Sequence, residues 1–115
     1  MKNIIRSAKH LQYIRSQPCM IGQMSGSQAC HIRLLTDGGV GLKPSDCYVL
    51  AMEYRYHKMS HDLGEVRFFK EWRINPFIYA KMYVKMSPCN KVNNKEVLSL
   101  LDERINTYAR IYQDQ

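Results

Sequence analysis

Two short stretches of this chain place nitrogen and sulfur donors at spacings that can do chemistry. In YRYHKMSH the histidines His57 and His61 are four residues apart. On a helix that spacing stacks both imidazoles on one face, one turn apart and within reach of a single metal ion. In SQACHIRLL, Ser27 to Leu35, Cys30 and His31 are adjacent within a strand-like run. Neighbouring strand residues point to opposite faces, so without a bulge only one of the two can share an ion with the histidine pair. The other then serves a different role, and a neutral imidazole is suited to taking a proton at physiological pH. A plain reading also fits: His57 and His61 as water-facing residues of an amphipathic helix, and Cys30 as a small buried hydrophobe.

The elements that must position these residues are readable from periodicity and breakers. Ile4, Ile5, Ala8, Leu11 and Ile14 fit a short helix or a basic arm ending before Pro18. Gln28–Leu35 reads as a strand, TDGGVGLKPSD as a glycine-rich loop, and Cys47–Met52 as the returning strand of an antiparallel hairpin. Glu53 to Leu63 reads as a helix stopped by Gly64, and EVRFFKEW as a second, with Phe68, Phe69 and Trp72 in the core. Asn75 and Pro76 open a third helix, and Ser87–Pro88 breaks the chain. The last helix, about 93–113, opens on Asn93 with Glu96 as a capping box; its stripe Leu98, Leu101, Ile105, Tyr108 and Tyr112 reads as core packing, with a homodimer seam as the alternative.

The order of elements predicts an α+β fold, and 115 residues predict a single domain over 1–115. Hydrophobic content of 45% against 23% charged excludes a disordered tail. A net charge of +7 favours a polyanionic partner, nucleic acid before membrane, although the cations are scattered. No apolar run is long enough for a bilayer, and Lys2, Arg6, Lys9 and Arg15 interrupt the stretch where an export signal would need its apolar core. A cytoplasmic protein is expected, with Cys19, Cys30, Cys47 and Cys89 as free thiols or metal ligands rather than disulfides. Cys47 and Cys89 read as packing residues.

The string ACHIRLLTDGGVGLKPSDCYVLAMEYRYHKMSHDLGEVRFF resembles the HNH endonucleases, and small phage-type members in particular, over roughly 18–82. The resemblance implies a ββα-metal hairpin-helix core with additional C-terminal helices. It implies His31 as general base, Cys30 in place of the strand ligand, and His57 and His61 as helical ligands of a divalent ion. Cys30 would favour zinc or another transition metal over magnesium. The middle Asn of the family pattern is replaced by Tyr48, and Asp46, two positions earlier, can take over orienting His31 or serve as a third ligand. The structural zinc of many such proteins lacks its cysteines here: Cys19 remains, but Gly22, Glu53 and Tyr56 occupy the other three positions. The implied activity is hydrolysis of DNA phosphodiester bonds in phage or bacterial recombination or DNA processing. Arg33 would contact the phosphate or stay solvated, and Lys43, Arg55, Lys58 and Arg67 would add backbone contacts. The alternative is a degenerate HNH fold that binds nucleic acid or protein without cutting.

Overall fold

Alternation along two short strands sets the layering of the molecule, described here over residues 4–113 by a computed structural model. Lys2 of the charged N-terminal stretch lies outside the described residues. Strands β1 (Gln28–His31) and β2 (Val49–Met52) pair antiparallel, with Cys30 opposite Leu50 and His31 opposite Val49. Cys30, Ile32, Leu50 and Met52 enter the main core with Phe68, Phe69, Phe77, Val84, Leu101 and Tyr108. Val49 and Ala51 face the other way, onto Ile14 of helix α1 (Ala8–Arg15). With both faces covered, all four residues of β2 are buried, which accounts for the unbroken apolar run VLAM.

Four further helices build the main layer. Helix α2 (Tyr54–Leu63) ends at Gly64, whose φ of +87° lies where a side chain would be strained. Helix α3 (Glu65–Glu71) follows at once. Helix α4 (Pro76–Met86) starts with proline at its first position, and Asn75 accepts a hydrogen bond from Phe77 N at 3.2 Å. Helix α5 (Lys95–Tyr108) packs on α4 and runs into a π-helical turn over Ala109–Gln113. The stripe from Leu98 to Tyr112 lies in or against the main core. The result is a mixed α+β fold of five α-helices and one two-stranded antiparallel sheet among the described residues. All four cysteines are free and buried. Among the described residues no helix is long and apolar enough to cross a membrane.

Several boundaries differ from those expected. Strand β1 stops at His31 rather than Leu35: Ile32 N still donates to Tyr48 O at 2.8 Å, but the amides after it find other partners. The Glu65 carboxylate accepts from Arg33 N at 2.9 Å and Leu34 N at 2.8 Å, and Leu35 turns the chain with φ +59°. Strand β2 starts at Val49 rather than Cys47, since Tyr48 N turns back to donate to Ser45 O at 3.1 Å and Asp46 N donates to Ile5 O at 2.8 Å, outside the ladder. The cap of α5 is Asn94, which accepts from Val97 N at 2.9 Å; Asn93 instead donates to Ser87 O and Lys85 O, closing the turn after α4. Trp72 is not in the core: it is 42% exposed and sits edge-on to Tyr56.

One buried group makes stability depend on pH. His10 is fully buried, its Nδ1 hydrogen-bonded to Ser87 Oγ at 2.8 Å and its Nε2 without a partner among the described residues. Burial pushes its pKa down from 6.5 to about 4, against the pull of the Asp46 carboxylate. The unfolded chain therefore takes up this proton at a higher pH than the folded one. Stability is full above pH 6.5 and falls as pH drops toward 4, by roughly 3 kcal/mol at the limit. Urea unfolding at stepped pH should show this loss in the parent protein, and His10→Gln should flatten the curve across that window.

Candidate functional site

The site begins with a carboxylate that the fold has taken out of water. Asp46 is 2% exposed, and its partners come from two distant segments. Ser7 N donates to Oδ2 at 2.8 Å, and His31 Nε2 lies 2.8 Å from Oδ1, with Arg6 at 3.5 Å from the same oxygen. The backbone reinforces this join, since Asp46 N donates to Ile5 O at 2.8 Å and Ile5 N to Ser45 Oγ at 2.9 Å. Arg6 also donates to Pro44 O at 2.6 Å and Lys43 O at 2.8 Å. Asp37 shapes the loop from within by accepting from Ser45 N at 2.7 Å and from Ser45 Oγ.

This arrangement settles which nitrogen of His31 is free. An ionised carboxylate only accepts, so the proton between the two groups sits on Nε2 and the lone pair on Nδ1. No hydrogen bond to Nδ1 is formed among the described residues. A histidine held by a buried carboxylate in one tautomer is the arrangement needed of a general base.

His31 opens on a pocket of about 280 Å³ that also holds Arg33, Lys43, His57 and His61, with Leu11 and Arg15 of α1 along one wall. His57 and His61 lie one helical turn apart with ring centroids 5.0 Å from each other. The pKa of His57 is lowered by burial and then by the neighbouring His61 and His31, which favours the neutral ring whose lone pair can bind a cation. Its Nδ1 lies 2.8 Å from Gln28 Oε1. No carboxylate lines the pocket, so three imidazoles and three side-chain cations define its chemistry. The His57–His61 pair offers two neutral nitrogen donors, one short of the three protein ligands usual at a catalytic zinc.

The structure thus brings His31, Asp46, Arg33, His57 and His61 to one place and separates Cys30 from them. Cys30 is 5% exposed within the main core, on the strand face opposite His31, and burial raises its thiol to about 12. A strand without a bulge turns adjacent side chains apart, so the expectation of Cys30 as a third ligand is not met. Nor does Asp46 serve in that place, being occupied by His31 and Ser7. Among the described residues no three His, Cys, Asp or Glu side chains converge as a ligand group. Of the cations expected on a nucleic-acid backbone, Lys43 lines the pocket, whereas Arg55, Lys58 and Arg67 pair with Glu53, Asp62 and Glu71.

Sequence reasoning missed Arg15, Gln28 and the Arg6–Ser7 segment. Ser7 carries a local signal, since its Oγ caps α1 by accepting from His10 N at 3.1 Å. The contacts of Arg15 and Gln28 are tertiary and leave no local trace. The positions Cys19, Gly22, Glu53 and Tyr56 do gather: Gly22 N lies 3.5 Å from Cys19 Sγ, and a Cβ on Gly22 would meet Glu53 Oε1 at 3.0 Å and the Tyr56 ring at 3.3 Å. A second pocket, of about 380 Å³, lies elsewhere, between α3 and the C-terminal helix, and is lined by none of His31, Arg33, Asp46, His57 or His61. In comparison with known proteins, no family model matches the chain, and no curated protein or solved structure matches it.

The weight carried by Asp46 is measurable. Asp46→Ala leaves the Ser7 N–H and the His31 N–H without their acceptor, and each orphaned buried donor costs about 1–3 kcal/mol. Urea unfolding should therefore show a loss of at least that size, with Asp46→Asn recovering part of it. Zinc titration should give the same result for Cys30→Ala as for the parent, since Cys30 lies in the core away from the histidines.

Proposed function

We propose that this chain is a metal-dependent endonuclease of the HNH kind that hydrolyses DNA phosphodiester bonds. One observation carries the reading: His31, oriented by buried Asp46, shares a cationic pocket with the His57–His61 pair. The order hairpin then helix agrees with a ββα-metal core, and the gathering of Cys19, Gly22, Glu53 and Tyr56 around one point supports the alignment with the family's zinc-binding positions.

In this reading the backbone phosphate enters the pocket, where Arg15, Arg33 and Lys43 neutralise its charge. His31 Nδ1 takes the proton from the attacking water as it adds to phosphorus, and Asp46 stabilises the imidazolium that results. His57 and His61 would hold a divalent ion, which would supply Lewis-acid stabilisation of the charge on the leaving oxygen. The contacts reach phosphates rather than base edges, so binding is strongly salt-dependent and largely indifferent to sequence.

A second reading, a catalytically inactive HNH scaffold that binds nucleic acid or a protein, is favoured by the lack of a third protein ligand among the described residues. Two substitutions separate the readings in a plasmid-nicking assay with several divalent ions. His31→Ala should retain metal and DNA affinity while cleavage falls by roughly 10²–10⁴-fold, the range for a positioned base. His57→Ala should lose metal and cleavage together. Cleavage by His31→Ala equal to the parent's would remove the base assignment; a parent that cuts with no ion would leave the binding scaffold.

A further inference from the structure

We propose that the pocket between α3 and the C-terminal helix binds a nucleotide, with the base against Tyr112 and the phosphate on Lys70 and Arg73. This site is separate from the His31 pocket and independent of the reaction proposed there. The cavity, of about 380 Å³, is of the size of small-molecule clefts. Phe69 and Tyr108 form a buried apolar wall, and Tyr112 is half-buried beside them, its ring centroid 5.0 Å from that of Tyr108. Lys70, Arg73 and Gln113 supply the polar groups, and no carboxylate is among the lining residues. A flat aromatic wall beside two cations matches a ring that carries an anionic group.

The polar groups of this pocket stay open to a ligand. Arg55, Lys58, Arg67 and Lys81 each meet an acidic side chain, whereas Lys70 and Arg73 make no ion pair among the described residues. Arg73 also holds a backbone that suits glycine: its φ is +53°, where the end of α3 closes through Arg73 N to Lys70 O at 3.1 Å and Ile74 N to Phe69 O at 2.9 Å. An arginine there costs the fold stability at the position from which it reaches the pocket. Gln113 Oε1 accepts from Nδ2 of the buried Asn75 at 3.2 Å. That bond leaves the Gln113 amide N–H groups to donate, which suits a heterocycle with ring nitrogen or carbonyl acceptors better than a hydrocarbon ring. The wide π-turn over Ala109–Gln113 brings Gln113, five residues after Tyr108, onto the face that carries Tyr108 and Tyr112. An aromatic wall, an amide donor and two unpaired cations together match a nucleobase and its phosphate.

Calorimetric titration of the full chain with AMP, adenosine and inorganic phosphate, for the parent, Arg73→Gly, Tyr112→Leu and Arg33→Ala, tests the site. The parent should bind AMP more tightly than either part alone. Arg73→Gly should weaken AMP binding by about tenfold or more, the loss of one charged contact. Its thermal midpoint should stay near the parent's, because relief of the left-handed residue offsets the freer unfolded chain. Tyr112→Leu should weaken AMP binding by about 5–150-fold, the loss of one base stack, and leave phosphate binding unchanged. Arg33→Ala, which alters the His31 pocket, should bind AMP as the parent does. Anisotropy of a labelled single-stranded oligonucleotide then gives the source of the ligand. Affinity lost in Arg73→Gly and Tyr112→Leu makes it a nucleotide of an unpaired strand, and parent-like affinity makes it a free nucleotide; either sustains the site. AMP bound no better than inorganic phosphate, or bound equally by the parent, Arg73→Gly and Tyr112→Leu, overturns it. So does a loss confined to Arg33→Ala, which would assign the nucleotide to the His31 pocket.

Discussion

The structure around the site depends on satisfying one buried charge. A carboxylate removed from water is tolerated only where hydrogen-bond donors replace its hydration, and Asp46 draws those donors from the segment before α1 and from β1. That demand places the N-terminal segment against the loop at 43–46, aligns α1 along one face of the hairpin and fixes the ring of His31. Neutralising Asp46 by burial beside hydrocarbon would have required none of this. The position of a candidate base and the docking of a helix are therefore consequences of a single electrostatic requirement.

The character of the pocket follows from where the acids went. Glu53, Glu71, Asp62 and Asp102 pair with cations on exposed surfaces, Glu65 caps the amides after β1, and Asp37 is spent within its own loop. Arg15, Arg33 and Lys43 are left facing the imidazoles with no acid among the pocket's lining residues. Such a concavity attracts anions and repels a free cation until an anion or neutral donors offset the field. The two helix histidines are its only paired donors that carry no fixed charge.

What was legible in the sequence was local. The glycine-rich loop between two β-rich runs gave the hairpin, Asn75–Pro76 and Gly64 gave helix ends, and the four-residue spacing gave the His57–His61 face. Asp46 as partner of His31 was reached from the family pattern, as the residue two positions before the Tyr48 that replaces its Asn; the pair forms, although Asp46 lies before β2 rather than on it. Strand length was not legible, since the partner that ends β1 is Glu65, more than thirty residues away. The choice between Asn93 and Asn94 as cap turned on which of two adjacent amides closed the preceding turn. Cys30 was assigned by alignment to a pattern, and the pleat of a regular strand overrode it.

The separations along the chain of the bonds around Asp46 imply an order of assembly. The histidine pair needs only the hairpin and α2, and its most distant tie, Gln28 to His57, spans 29 residues. The segment that clamps Asp46 is itself anchored much later in the chain: Ser7 Oγ meets Cys89 Sγ across 82 residues, and His10 meets Ser87 across 77. Closing those long loops costs entropy that nearby contacts must first offset. A chain growing from its N-terminus thus completes the His57–His61 side of the pocket while the segment beside His31 and Asp46 still lacks its second anchor. Incomplete chains would present the paired imidazoles before the segment that orients His31 had gained its second anchor.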